Sequence, residues 1–535
     1  MINFINPQSE IKLLNVDIKN DYKHQYTFSN ITEQTNFFLS KATGKNFSKC
    51  TFVKDGEITV EGHIYENYNA NYLMFRNTGF SNKWFYAFIT SIDYVNENAC
   101  TIHYELDCFQ TWYFDIHYKQ SFIVREHVAS DNIGEHTVDE SLGYGDYVFF
   151  DVPTSIQNLN DFYYVMAVTQ SIPHSADDND FVRGGLYDGI FSGLKYYATG
   201  NWELMADALL NYNQYGKGEA VQYIACIPKF CMPDFQDVSV EAGQPVQVLP
   251  NQFGARVRRS YEFSQNTIDG YTPKNKKLFC YPYNAIELTD NKGQTAVFKP
   301  ELFSNFGQCD FEVMSNMSGN VSVACFPSNY AKVYTDTDEA YFSADPGITI
   351  GNFPQCAWTS SFYLNWLAQN SYGNNIQLGI GIGNGLLSMG VGMATGNPIS
   401  TTIGLSSIAG TIGNYLSAEH KAEVTPNQAK GNSSNINVLS GHKLLGFYIN
   451  HKTIKYEQAK IIDDYFTTYG YKVNKIDIPN LRSRTNWNYI ETKNINITGN
   501  IPNEHIRIIQ NMFDTGVTLW HNDNVGNYNR DNLPR

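Results

Sequence analysis

The stretch IQLGIGIGNGLLSMGVGMATGNPISTTIGLSSIAGTIGNYL, residues 376–416, restricts what this chain can fold into more than any other part of it. It carries no charge, and the uncharged run around it extends over residues 346–418. The whole chain is 17% charged, so about a dozen charges belong in a run of that length. Glycine alternates with aliphatic residues along much of it. Glycine disfavours both helix and strand in water, so the segment is not expected to hold a fixed structure alone. Three readings compete. A linker explains the glycines but is ordinarily polar. A buried core element explains the aliphatics but not so many glycines. A segment that enters a bilayer explains both.

In lipid, small residues let helices approach closely, and Gly379 to Gly383 and Gly392 to Gly396 have the small-xxx-small spacing. Asn397-Pro398 makes a turn between two arms, residues 376–395 and 399–417, each about the 20 residues a helix needs to cross a bilayer. The apolar positions are Ile376, Leu378, Ile380, Ile382, Leu386, Leu387, Met389, Val391 and Met393 in the first arm. Pro398, Ile399, Ile403, Leu405, Ile408, Ile412 and Leu416 follow, and Gly379, Gly381 and Gly383 lie between the first of them. Nine apolar residues at roughly −0.3 to −0.6 kcal/mol each give only a few kcal/mol for the first arm. One shielded copy is expected to stay in water, and several copies together to insert. These residues are the candidate membrane-insertion site.

The rest of the chain is ordinary by comparison. Its 535 residues exceed one core, so about three or four domains are expected. Aromatic content is 15%, led by 37 Tyr and 34 Phe, which favours strands. The formal net charge of −15 argues against tight nucleic-acid binding, which needs clustered Lys and Arg. It suits a wall past which DNA slides. Nine cysteines lack a metal spacing and read as reduced thiols. The opening MINFINPQSEIKLL has no signal-peptide pattern, so folding in a cytoplasm is expected.

Residues 1–150 read as strands. In ITVEGHIY, Ile58, Val60 and Ile64 share one face; residues 84–94 form a long aromatic strand; CTIHYELDC pairs with it as a hairpin. TWYFDIHY is expected to continue the alternation through Trp112, Phe114 and Ile116. Residues 151–245 read as mixed α/β, with a helix capped by Asn201 and ended by Gly216. Residues 246–345 return to short strands. Residues 346–375 read as a loop and a short helix, residues 376–418 as the hydrophobic loop, and residues 419–535 as an α+β domain. The last carries two helices, one closed by Gly470 and one running from Asn503 to before Gly516, with KVNKIDIP and ETKNINITG as strands between. Asp463 and Asp464 are expected on the solvated side of the first helix. The fold class is therefore mainly β with some α.

No nucleotide-binding, zinc-protease or hydrolase motif is present. REHVASDNIGEH brings Glu126, His127, Asp131, Glu135 and His136 close in sequence. It reads as a polar connection, with metal ligation as the sharper alternative. No catalytic residue, metal or cofactor is expected. A receptor-binding or cell-wall-degrading protein with the Gly-rich loop buried is the rival reading.

Several longer motifs point to a family. WFYAFITSIDYVNENACTIHYELDCFQTWYFDIHYKQSFIVREHV, IGEHTVDESLGYGDYV, KLFCYPYNAIEL, GNFPQCAWTSSFYLNWLAQN, YFTTYGYKVNKIDIPN, RTNWNYIET and GVTLWH occur in that order. Together they resemble the tail knob, or distal tube, proteins of φ29-type short-tailed phages, least clearly over residues 151–245. The resemblance implies β-barrel-like tube domains assembled as a homohexameric ring at the tail tip of a virion built in a bacterial cytoplasm. It implies other tail and collar proteins as partners, and phage DNA passing through the lumen without specific binding. It also implies that a hydrophobic loop from each subunit plugs the tube, then leaves it to form a channel through host membrane lipids. Residues 376–416 lie where that loop belongs.

Overall fold

The computed structural model describes residues 9–50, 56–187, 190–231, 247–248, 252–253, 255–315, 322–330, 347–351, 355–357 and 444–535. The chain divides into two compact units. Unit one joins Met1–Gly145, Gly270–Cys280 and Lys455–Arg535; unit two joins Asp146–Asp269 and Tyr281–Ile454. The consecutive segments expected from sequence cut the chain differently. Residues 419–535, for instance, divide between the units at Ile454.

Unit one contains a curled half-barrel of six antiparallel strands. Their order is Ala42–Cys50, Ser9–Leu14, Tyr72–Arg76, Phe85–Asn96, Ala99–Leu106 and Glu57–Glu61. The expected hairpin is present, with Ile92 opposite Ile102 and Tyr94 opposite Cys100. Ile58 and Val60 are buried on one face as expected, but the strand stops at Glu61. Gly62 takes φ +116° and a short helix, Ile64–Asn67, follows, so Ile64 is not a strand residue. The alternation also fails after Leu106. Asp107 caps a helical turn, Cys108–Trp112, by accepting from the Gln110 amide at 3.0 Å, which takes Trp112 out of any strand. Asn30 caps the helix Ile31–Ser40, which places Phe38 flat on Tyr72 at 5.4 Å.

A second sheet of this unit orders His24–Tyr26, Val517–Trp520, Trp487–Lys493, Ser121–Glu126 and Tyr471–Asp477. The helices Tyr456–Tyr469 and Asn503–Thr515 end at Gly470 and Gly516 as the sequence predicts. Gly470 is required on two counts: its φ is +66°, and a Cβ there would stand 2.3 Å from the Glu126 carbonyl oxygen. Asp464 is exposed as expected, but Asp463 is fully buried. Its carboxylate accepts from the Tyr271 hydroxyl (2.8 Å), the Lys274 amide (2.9 Å), and the Asn275 amide and Nδ2 (3.0 and 2.9 Å). The solvated-face expectation for Asp463 is corrected: the helix buries that side under residues 271–275.

Glu140 does the same work nearby. One carboxylate oxygen accepts from Arg125 Nη2; the other accepts from Lys277 Nζ at 2.5 Å and the Lys472 amide at 2.9 Å. Arg125 also donates to the Gly470 carbonyl at 2.8 Å. All three chain pieces of unit one therefore meet on one buried carboxylate.

Unit two is built from antiparallel sheets around one core. A four-stranded sheet orders Ala255–Glu262, Gln308–Ser315, Val323–Pro327 and Ile348–Ile350. A five-stranded sheet places Tyr147–Phe149, Gly446–Ile454, Asn284–Thr289 and Thr295–Phe298 side by side, with Thr154–Asn158 also on Gly446–Ile454. Another orders Gln247–Val248, Lys195–Thr199, Phe162–Val168, Val221–Pro228 and Gln355–Ala357. The helix Trp202–Gln214 is capped by Asn201 as expected, and Gly216 beyond it takes φ +69°. The DNKGQ turn forms through Asp290, whose Oδ1 accepts from the Lys292 and Gln294 amides. Alternating residues of these sheets, among them Val165, Ile286, Leu288, Phe311, Val313 and Val323, fill the core.

Two outcomes follow for unit one. Glu140→Gln leaves Arg125 and Lys277 buried without their counter-charge, and is expected to cost about 3–5 kcal/mol in chemical denaturation. His127 is buried and neutral: its Nε2 donates to the Thr467 carbonyl at 3.0 Å and its Nδ1 accepts from the Tyr489 amide at 2.7 Å. Burial, with the Arg484, His521 and Arg125 charges, holds its pKa down to about 3. A depressed value favours the fold above the ordinary value of 6.5, and that stability is lost as pH falls toward 3. The unfolding free energy is expected to drop by up to about 1.4 kcal/mol per pH unit across that window. His127→Asn should flatten the slope in urea melts taken at successive pH values.

Candidate functional site at the roots of the charge-free segment

Every residue singled out between Ile376 and Leu416 lies outside the described residues, as does the expected helix after Thr359. The described structure shows how the chain enters and leaves residues 358–443. Both ends belong to unit two.

The outgoing root is built by two edge strands. Ile348 and Ile350 are buried on the strand Ile348–Ile350, which pairs with Val323–Pro327. The strand Gln355–Ala357 then adds to Val221–Pro228, with Ala357 opposite Tyr223 and Gln355 opposite Ala225. Sequence reading placed residues 355–357 in a connecting loop, because three residues carry no readable period.

The returning root is sharper. Leu444 is 47% exposed and Leu445 is fully buried, so the chain passes from surface to core in one step. The Leu445 amide donates to Asn160 Oδ1 at 2.9 Å, and its carbonyl accepts from the Leu159 amide at 2.9 Å. Gly446 follows, where a Cβ would lie 2.4 Å from the Gln157 carbonyl oxygen; only glycine lets the two strands close there. Phe447 and Ile449 point into the same core that holds Ile227, Ile348 and Ile350. Full burial of such side chains contributes about 1.5–3 kcal/mol each, so the returning strand is firmly held.

A polar cluster fixes that strand in register. His451 is buried; its Nε2 donates to Asn284 Oδ1 at 2.8 Å, and its Nδ1 lies 3.3 Å from the Tyr261 hydroxyl, which also donates to Asp151. Burial lowers the His451 pKa to about 4, against the opposing pull of Asp151, so the ring is neutral near pH 7. Nothing in the sequence flags His451, Asn160 or Gly446, because their partners are remote along the chain.

The polar segment 125–136 does not converge on one point. Glu126 pairs with Lys475 at 2.8 Å, Asp131 accepts from the Tyr471 hydroxyl at 2.7 Å, Glu135 accepts from Asn132 and Ser130, and His136 Nε2 donates to the Ser130 carbonyl. Among the described residues no group of three His, Cys, Asp or Glu side chains is placed to hold a metal ion. Among the described residues, Cys50, Cys100, Cys108, Cys280, Cys309 and Cys325 are in the thiol form and not in disulfides.

Comparison with known proteins gives this architecture its family. The model of the Bacillus phage phi29 tail knob protein gp9 C-terminal domain matches residues 250–533, more than half of the chain. This chain belongs to the phi29-type tail knob family. A second model, of the caudoviral major tail protein N-terminus, matches residues 7–119, the half-barrel of unit one. The chain is 28% identical to the tail knob protein gp9 of Bacillus phage B103, over 97% of this chain and 98% of the relative. It is 28% identical to the tail knob protein gp9 of Bacillus phage phi29, over 97% of both. Its fold is similar to that of the bacteriophage C1 tail knob protein gp12, with a TM-score of 0.61, 15% identity, and 98% of this chain and 100% of that chain covered. The resemblance drawn from sequence motifs is thus shown, and the mainly β fold class with it.

Asn160→Leu removes the acceptor at the returning root and leaves the Leu445 amide buried without a partner. It is expected to cost about 1–3 kcal/mol. Gly446→Val should cost more, because the clash is with backbone. Thermal melting of both variants beside the parent chain checks the ranking.

Proposed function

We propose that this chain is a structural component of the phage tail tip whose charge-free segment closes the tail before genome release and then opens a path through the host membrane. The observation that carries the reading is the pairing of residues 346–418, free of charge, with two roots held in one rigid core. Such an arrangement lets the segment change surroundings while the body that emits it stays folded. Membership of the tail knob family supports the tail location, and its relatives are named as tail knob proteins.

The mechanism needs no covalent chemistry. Six copies arranged as a ring would pack their glycine-rich arms in the lumen, where no charge resists crowding. Moving apolar surface from a partly wet lumen into hydrocarbon supplies about 25 cal/mol per Å². Gly379, Gly383, Gly392 and Gly396 let neighbouring arms approach in lipid. DNA passes the acidic wall without specific binding, since like charges repel it from the surface. Homohexamer formation, contacts with other tail proteins and insertion into lipid all belong to this proposal. The chain acts in the virion, after assembly in the host cytoplasm, and not as an enzyme.

Purified assembled protein mixed with dye-loaded liposomes tests the reading. Dye release is expected, and deletion of residues 376–416 should reduce it at least about tenfold while ring-shaped particles remain visible by electron microscopy. That deletion keeps both roots. Dye release that survives it would move the membrane role elsewhere. Loss of cell-wall turbidity on addition of the protein would favour a wall-degrading activity instead.

A further inference from the structure

Among the described residues, unit one buries the cationic side chains of Arg125, Lys277 and Arg484. Arg125 and Lys277 share Glu140. Arg484 is 6% exposed, yet no carboxylate of the described residues lies within ion-pairing distance of it. Its Nη1 reaches only the Asn532 carbonyl, at 3.4 Å, and its Nε is buried without a partner. A buried guanidinium left in this state is costly unless something completes it.

Arg484 lines a cavity of about 400 Å³ enclosed by the C-terminal residues 531–534 on one side and by Lys274, Asn275 and Lys276 on another. No charged group of the cavity forms an ion pair with it. Asp131 attracts Arg484 from beyond ion-pairing distance, while its two oxygens accept from the Tyr471 hydroxyl and the Lys276 amide. His127 is neutral, with both ring nitrogens bonded to backbone. Asp531 is exposed at the rim. The Lys274 and Lys276 side chains are exposed and unpaired at the same rim. Three cations thus face two carboxylates, one of which already has both oxygens engaged.

We infer that this cavity is a binding site for a small oxyanion, a phosphate or a carboxylate group, seated on Arg484 with Lys274 and Lys276 closing over it. Arg484 lines the cavity with no ion-paired carboxylate of the described residues, so its guanidinium offers charged donors to one such group. The volume admits a free ion or a short acid. Binding would tie residues 274–276 to the C-terminal residues 531–534 through the ligand. The inference does not depend on the membrane role proposed above.

Isothermal titration of the full chain at fixed ionic strength tests it, with inorganic phosphate, acetate and chloride as separate titrants. Saturable binding of phosphate or acetate, with none of chloride, is expected, and the tighter of the two identifies the ligand class. Arg484→Met should weaken that binding at least about tenfold, the loss of a charge-assisted contact. The double variant Lys274→Gln, Lys276→Gln alters only exposed side chains and should weaken binding several-fold, so the inference stays testable if Arg484→Met does not fold. Absence of saturable binding of both oxyanions, or parental affinity in both variants, would overturn it.

Discussion

Unit one depends on two buried carboxylates. Its chain arrives in three pieces separated by more than a hundred residues each, and hydrophobic burial alone does not specify how such pieces register. Glu140 holds Arg125, Lys277 and the Lys472 amide; Asp463 holds Tyr271, Lys274 and Asn275. Each carboxylate has several donors, which is the condition under which a buried charge can be tolerated. The short middle piece, Gly270–Cys280, has a single helical turn, Lys276–Phe279, and is placed by these bonds together with the buried Leu278, Phe279 and Cys280. The aromatic core around Tyr26, Phe38, Tyr72, Trp487 and Trp520 joins the first and third pieces.

Unit two solves a different problem. It must keep strand register on both sides of the long charge-free run. The solution is asymmetric. The outgoing chain leaves along short edge strands, where few backbone bonds are at stake. The returning chain enters the middle of a sheet at once, fixed by Asn160, by the close approach at Gly446 and by the buried His451 cluster.

Local signals in the sequence were read well where the deciding atoms are local. Asn201, Gly216, Gly470 and Gly516 mark helix ends because capping and left-handed backbone are properties of one or two residues. The hairpin of Phe85–Asn96 with Ala99–Leu106 was legible because both strands alternate. The failures have two causes, one local and one remote. Asp107 turned an apparent strand into a helical turn through a bond to its own backbone, and Gly62 broke the strand before Ile64 by its conformation. Asp463 looked solvated because a charge on a helix ordinarily is; its donors come from residues nearly two hundred positions earlier.

The sequence by itself determined the kinds of elements, the capped helices, the family and the presence of a charge-free, glycine-rich segment, since periodicity, capping and composition are written in neighbouring residues. Only the tertiary structure decided that the chain interleaves into two units, that Glu140 and Asp463 are buried staples, and that Arg484 is a buried cation with no carboxylate of the described residues in ion-pairing distance. Those facts rest on which distant donors and acceptors meet in a medium without water. Pairing of that kind is set by the whole fold and leaves no trace in the spacing of residues along the chain.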